Sequence, residues 1–403
     1  MQRYFKDIRQ TGVDKVRYDF DTVHDRRNTA SLKWNVLENE LPMWVADMDF
    51  ATAPEVVEEI KKRAEHGIFG YNEVPDEWYE AYINRWSSLH GLIMKKNELL
   101  FCTGVVAAIS SIVRKLTTPN ENVLIQTPVY NIFFNSVLNN GRRVLDNTLV
   151  YRDGCYSIDF DDLEKKLADP QTTLMILCNP HNPVGKIWDK DELARIGELC
   201  SKYHVTVISD EIHCEITPPG KGYVPFASVS ETCRSISITC ISPTKTFNIA
   251  GLQTAAIFIP DSFLRHKVWR AINTDEVAEP NTFACIAAIA AFNKGGAWAE
   301  EMNEYVSRNR ERAEAYIKEN IPEIKAVHGE ATYLMWLDIG GVGKSRDVAS
   351  YIRKKTGLYL TPGVEFGESG DDFLRLNIAC PASLLDDGLS RLKAGIAAYV
   401  NRT

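Results

Sequence analysis

No stretch of this 403-residue chain stays apolar for the span of a bilayer, and the opening Met1-Gln2-Arg3-Tyr4-Phe5-Lys6-Asp7 lacks the apolar segment of a secretory signal. A soluble cytoplasmic protein is the expectation. A basic block is missing too: 46 Lys and Arg are spread along the chain against 54 Asp and Glu, a formal charge of -8. Nucleic acid and anionic membrane are therefore excluded as expected partners. Nine cysteines contain no C-x-x-C pair, and several, such as Cys178 and Cys240, sit inside apolar runs. That pattern suits buried thiols in a reducing compartment, and no metal site is expected. Cys102 and Cys214 lie near the motifs below but read as packing residues, because thiol reactivity needs specific local activation. Internal repeats and low-complexity linkers are also absent.

What is present is a change of pattern. Amphipathic helices are expected over 54–66, with Pro54 at the first position and Val56, Val57, Ile60 and Ala64 on one side, and over 77–90, where Trp78, Tyr82, Trp86 and Leu89 form a core stripe. From 98 to 260 short apolar runs at 99–102, 122–125, 173–178, 205–209, 235–241 and 254–259 alternate with helical segments such as 190–203. This is the signature of a mostly parallel sheet covered by helices, with functional loops at the carboxyl ends of its strands. Helices over 282–292, 297–319 and 384–400, with strands near 333–337 and 373–378, indicate a second, α+β domain. The run Gly340-Gly341-Val342-Gly343-Lys344-Ser345 ends like a P-loop, but Asp338 stands at the leading glycine position, so a nucleoside triphosphate site is not expected.

Four strand-end loops carry the chemistry. Thr103-Gly104-Val105-Val106 opens a helix directly after a strand, where free N–H groups favour a phosphate. Asn179-Pro180-His181-Asn182-Pro183-Val184-Gly185 holds an asparagine amide in a proline-stiffened loop. Ser209-Asp210-Glu211-Ile212-His213 ends an apolar strand with a carboxylate able to keep a heterocyclic nitrogen protonated. Ser242-Pro243-Thr244-Lys245 puts a lysine at a strand end in largely uncharged surroundings, where desolvation makes an amine nucleophilic. Together they complement the groups of pyridoxal 5'-phosphate.

With these motifs in this order the chain resembles the aspartate aminotransferase-like enzymes, fold type I of the pyridoxal-phosphate enzymes, from about Met43 to the C-terminus. The resemblance implies an α/β large domain, residues 54–290, with a mostly parallel seven-stranded sheet, and a smaller α+β domain from residues 1–53 and 291–403. It implies a homodimer and assigns roles. Lys245 matches the lysine that forms the Schiff base, Asp210 the partner of the pyridine nitrogen, and Asn182 the donor to the 3'-oxygen. Tyr130 matches the ring-stacking aromatic, His213 a residue close to the ring, and Val105, Val106 and Ser242 the phosphate seat. Tyr71 matches a tyrosine that reaches the phosphate from the other subunit, and Arg375 the arginine that binds the substrate α-carboxylate. One departure stands out: many aminotransferases have a phosphate-binding arginine where this chain has Gln253. With Pro42-Met43-Trp44-Val45-Ala46-Asp47-Met48-Asp49-Phe50 and the stretch from Lys245 to Gln253, that departure is more similar to the cystathionine β-lyase branch, the MalY/PatB type. The branch implies carbon-sulfur β-elimination from cysteine conjugates, with amino-group transfer as the alternative and a regulatory role through a bound protein as a further one.

Overall fold

The structure, a computed structural model, describes residues 18–402, so the opening stretch 1–7 weighed above lies outside the described residues. Seven strands form the central sheet: β1 (Leu99–Cys102), β2 (Asn122–Ile125), β3 (Arg143–Asp146), β4 (Thr172–Cys178), β5 (Thr206–Asp210), β6 (Ser237–Ile241) and β7 (Ala255–Phe258). Their order is β1-β7-β6-β5-β4-β2-β3, and all neighbours run parallel except β7, which is antiparallel to β1 and β6. The strand predicted over 235–241 starts at Ser237 because the residues before it form the helix Glu231–Ile236, whose cap is Ser230. The strand that the apolar pattern does not show is β3. It pairs with β2 alone and carries Arg143 and Asp146, as an edge strand tolerates.

Alternation along the strands decides which face each residue serves. Ile176, Ile208 and Ile238 pack with Ile109 and Ile112 of the helix Val105–Leu116, while Met175, Leu177 and Val207 face Leu193 and Ile196 of the helix Lys190–Lys202. Asp210 keeps the phase of Ile208 and lies in register between Cys178 and Cys240. The carboxyl therefore emerges on the face that the helix Val105–Leu116 covers.

A second, antiparallel sheet has the order β8 (Lys325–Ala326), β9 (Leu334–Asp338), β11 (Phe373–Asn377), β10 (Thr361–Pro362). The helices Gly296–Asn320, Ser345–Thr356 and Ala382–Val400 accompany it in the chain. Leu41–Pro42 pairs with Leu358–Tyr359 and so draws the N-terminal segment onto this part of the molecule. The glycine run from Gly340 joins β9, an antiparallel strand, to the helix Ser345–Thr356. Its Ser345 amide and hydroxyl are both spent on Asp371. Among the described residues no helix is long and apolar enough to cross a membrane, and no cluster of His, Cys, Asp or Glu could hold a metal ion.

Candidate active site

Lys245 lies in the turn that follows β6. The amide of Phe247 donates to Pro243 O (2.9 Å), that of Ile249 donates to Thr244 O (3.0 Å), and the buried Phe247 ring stacks on Trp298 at 5.9 Å. Burying a phenylalanine is worth about 1.5–3 kcal/mol, enough to anchor so short a loop. Asn248 takes a positive φ of 53°, which asparagine tolerates better than most residues. Its amide oxygen accepts from Met48 N (3.0 Å) and its nitrogen donates to the Met48 and Phe50 carbonyls (3.1 and 2.9 Å). The lysine loop is thereby clamped to a strap formed by residues 44–50.

That strap contributes main-chain carbonyls. Ala46 O accepts from Lys245 Nζ (2.6 Å) and from Tyr333 OH (2.9 Å). Trp44 O accepts from Arg375 Nη2 (2.8 Å) and Thr361 Oγ1 (3.0 Å), and Asn377 Nδ2 donates to both Val45 O and Asp47 O at 2.6 Å. Behind it, Arg26 bridges Asp47 and Asp49 at 2.7 Å each, and Lys33, only 1% exposed, pairs with Asp49 at 2.7 Å. A buried lysine survives only when paired and hydrogen-bonded, so this ionic cluster fixes the path of the strap.

The asparagine loop is held as firmly. Gly185 has a φ of +72°, and an added Cβ would meet Gly329 Cα at 3.0 Å, so the turn and the close approach both require glycine. His181 is buried, its Nε2 is 2.9 Å from Pro128 O, and burial pushes its pKa down to about 4, so it stays a neutral structural group. Asn182 Oδ1 accepts from Arg375 Nη1 at 3.2 Å, and among the described residues its Nδ2 has no acceptor. Tyr130 N donates to Asn182 O at 3.1 Å, which joins the tyrosine and asparagine loops.

The structure brings Lys245, Asp210, Asn182, Tyr130, His213, Val105 and Val106 onto one cavity of about 170 Å³. Arg375 reaches this group through Asn182. Ser242 lies behind the lining, its hydroxyl donating to Thr254 O at 2.7 Å, and Tyr71 lies away from it, fully exposed. Desolvation sets the charges inside. Burial, with the nearby Arg375 guanidinium, depresses the Lys245 amine to about 8, and burial pushes Asp210 up to about 7. His213 is driven well below its ordinary value by burial and by the Lys245 and Arg375 charges, and it stays neutral. The arrangement offers an amine that exchanges protons near neutral pH, a carboxyl with one backbone donor (Ile212 N, 3.2 Å), and a free amide. Tyr333, Asn377, Asn248 and the Arg26–Lys33–Asp47–Asp49 cluster are the supports that sequence reasoning missed. The one sequence signal toward them is the dense Asp47-Met48-Asp49 pair within an apolar stretch.

Residues 39–392 match the family model described as Aminotransferase class I and II. The chain belongs to that family. Within the aminotransferase class I and II family, the cystathionine beta-lyase PatB of Bacillus subtilis (strain 168) is 42% identical over 386 residues, covering 94% of this chain and 100% of that protein. Among solved structures, cystalysin from Treponema denticola, which contains a pyridoxal 5'-phosphate cofactor, superposes with a TM-score of 0.92 at 32% identity, over 94% of this chain and 99% of that one. The pyridoxal-phosphate-bound C-S lyase from Staphylococcus hominis gives 0.89 at 33% identity, over 94% and 98%. The fold is that of the fold type I aminotransferases, with the expected seven-stranded, mostly parallel sheet.

Proposed function

We propose that this chain is a pyridoxal 5'-phosphate-dependent carbon-sulfur β-lyase that cleaves L-cystathionine or related cysteine S-conjugates to a thiol, pyruvate and ammonia. The observation that carries the reading is the half-buried Lys245 amine, 2.6 Å from the Ala46 carbonyl on a cavity that also holds Asp210, Asn182 and Tyr130. The cofactor fits these residues. Asp210 has acceptor capacity left for a protonated ring nitrogen, Asn182 Nδ2 is free to donate to a phenolic oxygen, and the first N–H groups of the helix Val105–Leu116, on the cavity wall, would hold the phosphate. When bound, the cofactor supplies an electron sink for the carbanion at the substrate's α-carbon.

The protein supplies position and protons. The Lys245 amine, depressed to about 8, takes the proton from the α-carbon, the β-carbon–sulfur bond breaks, and the Lys245 ammonium can hand its proton to the departing sulfur. The aminoacrylate product hydrolyses to pyruvate and ammonia. Arg375 is buried, and its Nε has no partner among the described residues, which suits a guanidinium waiting for the substrate's carboxylate. Arg375→Lys, which loses the planar fork, is expected to raise KM for L-cystathionine by about 10- to 100-fold while kcat changes less. Steady-state kinetics over a wide substrate range check this, and an unchanged KM would remove Arg375 from the substrate site.

The same reading makes residues 54–290 the cofactor-binding domain, residues 1–53 with 291–403 the smaller one, and the active species a cytoplasmic homodimer. Tyr71 of one copy then reaches the phosphate of the other. Its full exposure, beside the exposed Ile68 and Phe69, supports a covering second copy. The deciding assay incubates purified protein with pyridoxal phosphate and L-cystathionine in the absence of any keto acid. Pyruvate and thiol are expected in equal amounts. Exchange that depends on added keto acid would instead assign the chain to amino-group transfer, and absence of both products would sink the proposal.

A further inference from the structure

We infer that the phosphate end of this cavity is an uncharged seat, in which Gln253 and Thr244 stand in for a guanidinium, so that the bound phosphate keeps a titratable proton near neutral pH. The inference rests on the proposed cofactor. Among the described residues that line the cavity there is no arginine, and its charged groups are Lys245, Asp210 and His213. Lys245 sits on the Ala46 carbonyl, Asp210 is itself acidic, and His213 is held neutral by burial. Burial also keeps the other titratable lining groups, Tyr130 and Cys178, uncharged.

The donors that remain are neutral. The Val105 and Val106 amides begin the helix Val105–Leu116, whose first internal bond is made by Ala108 N to Gly104 O, so both amides are free. Gln253 ends the short turn Ala250–Leu252 at a φ of +55°, lines the cavity, and its side chain makes no hydrogen bond to any described residue. Proton counting places Thr244. The single Ser242 hydroxyl proton goes to Thr254 O, so Thr244 must be the donor in the 2.7 Å contact between the two hydroxyls. The Thr244 N–H also donates to Ser242 Oγ at 3.1 Å, and this keeps Ser242 satisfied when the Thr244 hydroxyl turns toward an anion. Ser242 thus acts through Thr244.

A phosphate monoester loses its second proton near pH 6 in water. A guanidinium beside it favours the dianion and drives that ionisation down, whereas neutral donors favour it less. The test is phosphorus NMR of the protein reconstituted with pyridoxal phosphate, followed through the neutral pH range. In the wild type the bound resonance is expected to move along a one-proton titration curve. Gln253→Arg is expected to flatten that curve and to slow cofactor loss on dialysis by about tenfold or more. Gln253→Ala, which stays neutral, is expected to lose cofactor faster and still titrate. A flat wild-type curve, as a cation donated by a second copy would give, overturns the inference, and so does a Gln253→Arg protein that titrates like the wild type. If no bound resonance forms at all, the cofactor assignment itself falls.

Discussion

Lys245→Ala is expected to release pyruvate from L-cystathionine about 10⁴-fold more slowly than the wild type, because one side chain both takes the α-proton and returns it to the sulfur. The loss is not an unfolding effect. Burial lowers the Lys245 amine to about 8, so at neutral pH the folded protein holds a desolvated ammonium that the unfolded chain would hydrate. Alanine removes that burden, and Ala46 O keeps its bond from Tyr333. The melting temperature of the variant at pH 7 should therefore equal or exceed that of the wild type. Turnover within tenfold of wild type, in protein with an intact melting transition, would exclude Lys245 as the base.

Asp210→Asn separates activity from stability in opposite directions. With the carboxylate gone, a bound pyridine nitrogen has no charged partner, and lyase turnover is expected to fall by at least about 100-fold. The cofactor-free protein behaves differently. Burial raises the folded-state pKa of Asp210 to about 7, above the ordinary carboxylate range. Between about pH 4 and pH 7 the folded chain holds a proton that the unfolded chain has released, so stability falls as pH rises through that window. Asparagine has no such ionisation. Cofactor-free Asp210→Asn should melt above the wild type at pH 8, and the gap should close at pH 4–5. Equal gaps at both pH values would show that ionisation of Asp210 is not what separates the two proteins.

The sheet and its loops were legible because β4, β5, β6 and β7 are buried on both faces and read as continuous apolar runs, each followed by residues that no strand interior would tolerate. Asp210, Asn182 and Lys245 stand at those transitions. The edge strand β3 was not legible, because one neighbour and exposed residues leave no apolar signature. Neither was the ionic cluster. Nothing in the spacing of Arg26, Lys33, Asp47 and Asp49 says that a lysine will be buried, since the partners meet through tertiary packing. Ser242 lies in the lysine loop, but which oxygen receives its proton depends on Thr254, a strand away in space.

The oxygen that accepts from the Lys245 amine is the carbonyl of Ala46, and it belongs to the polymer backbone and not to a side chain. Alanine substitutions along the segment remove supports such as the Asp47 carboxylate and the buried Met48 side chain, but they leave the Ala46 carbonyl in the polymer, so they read the supports and not the acceptor itself. Only a change to the peptide unit itself, such as an amide-to-ester exchange that weakens the acceptor, would reveal what this stretch contributes.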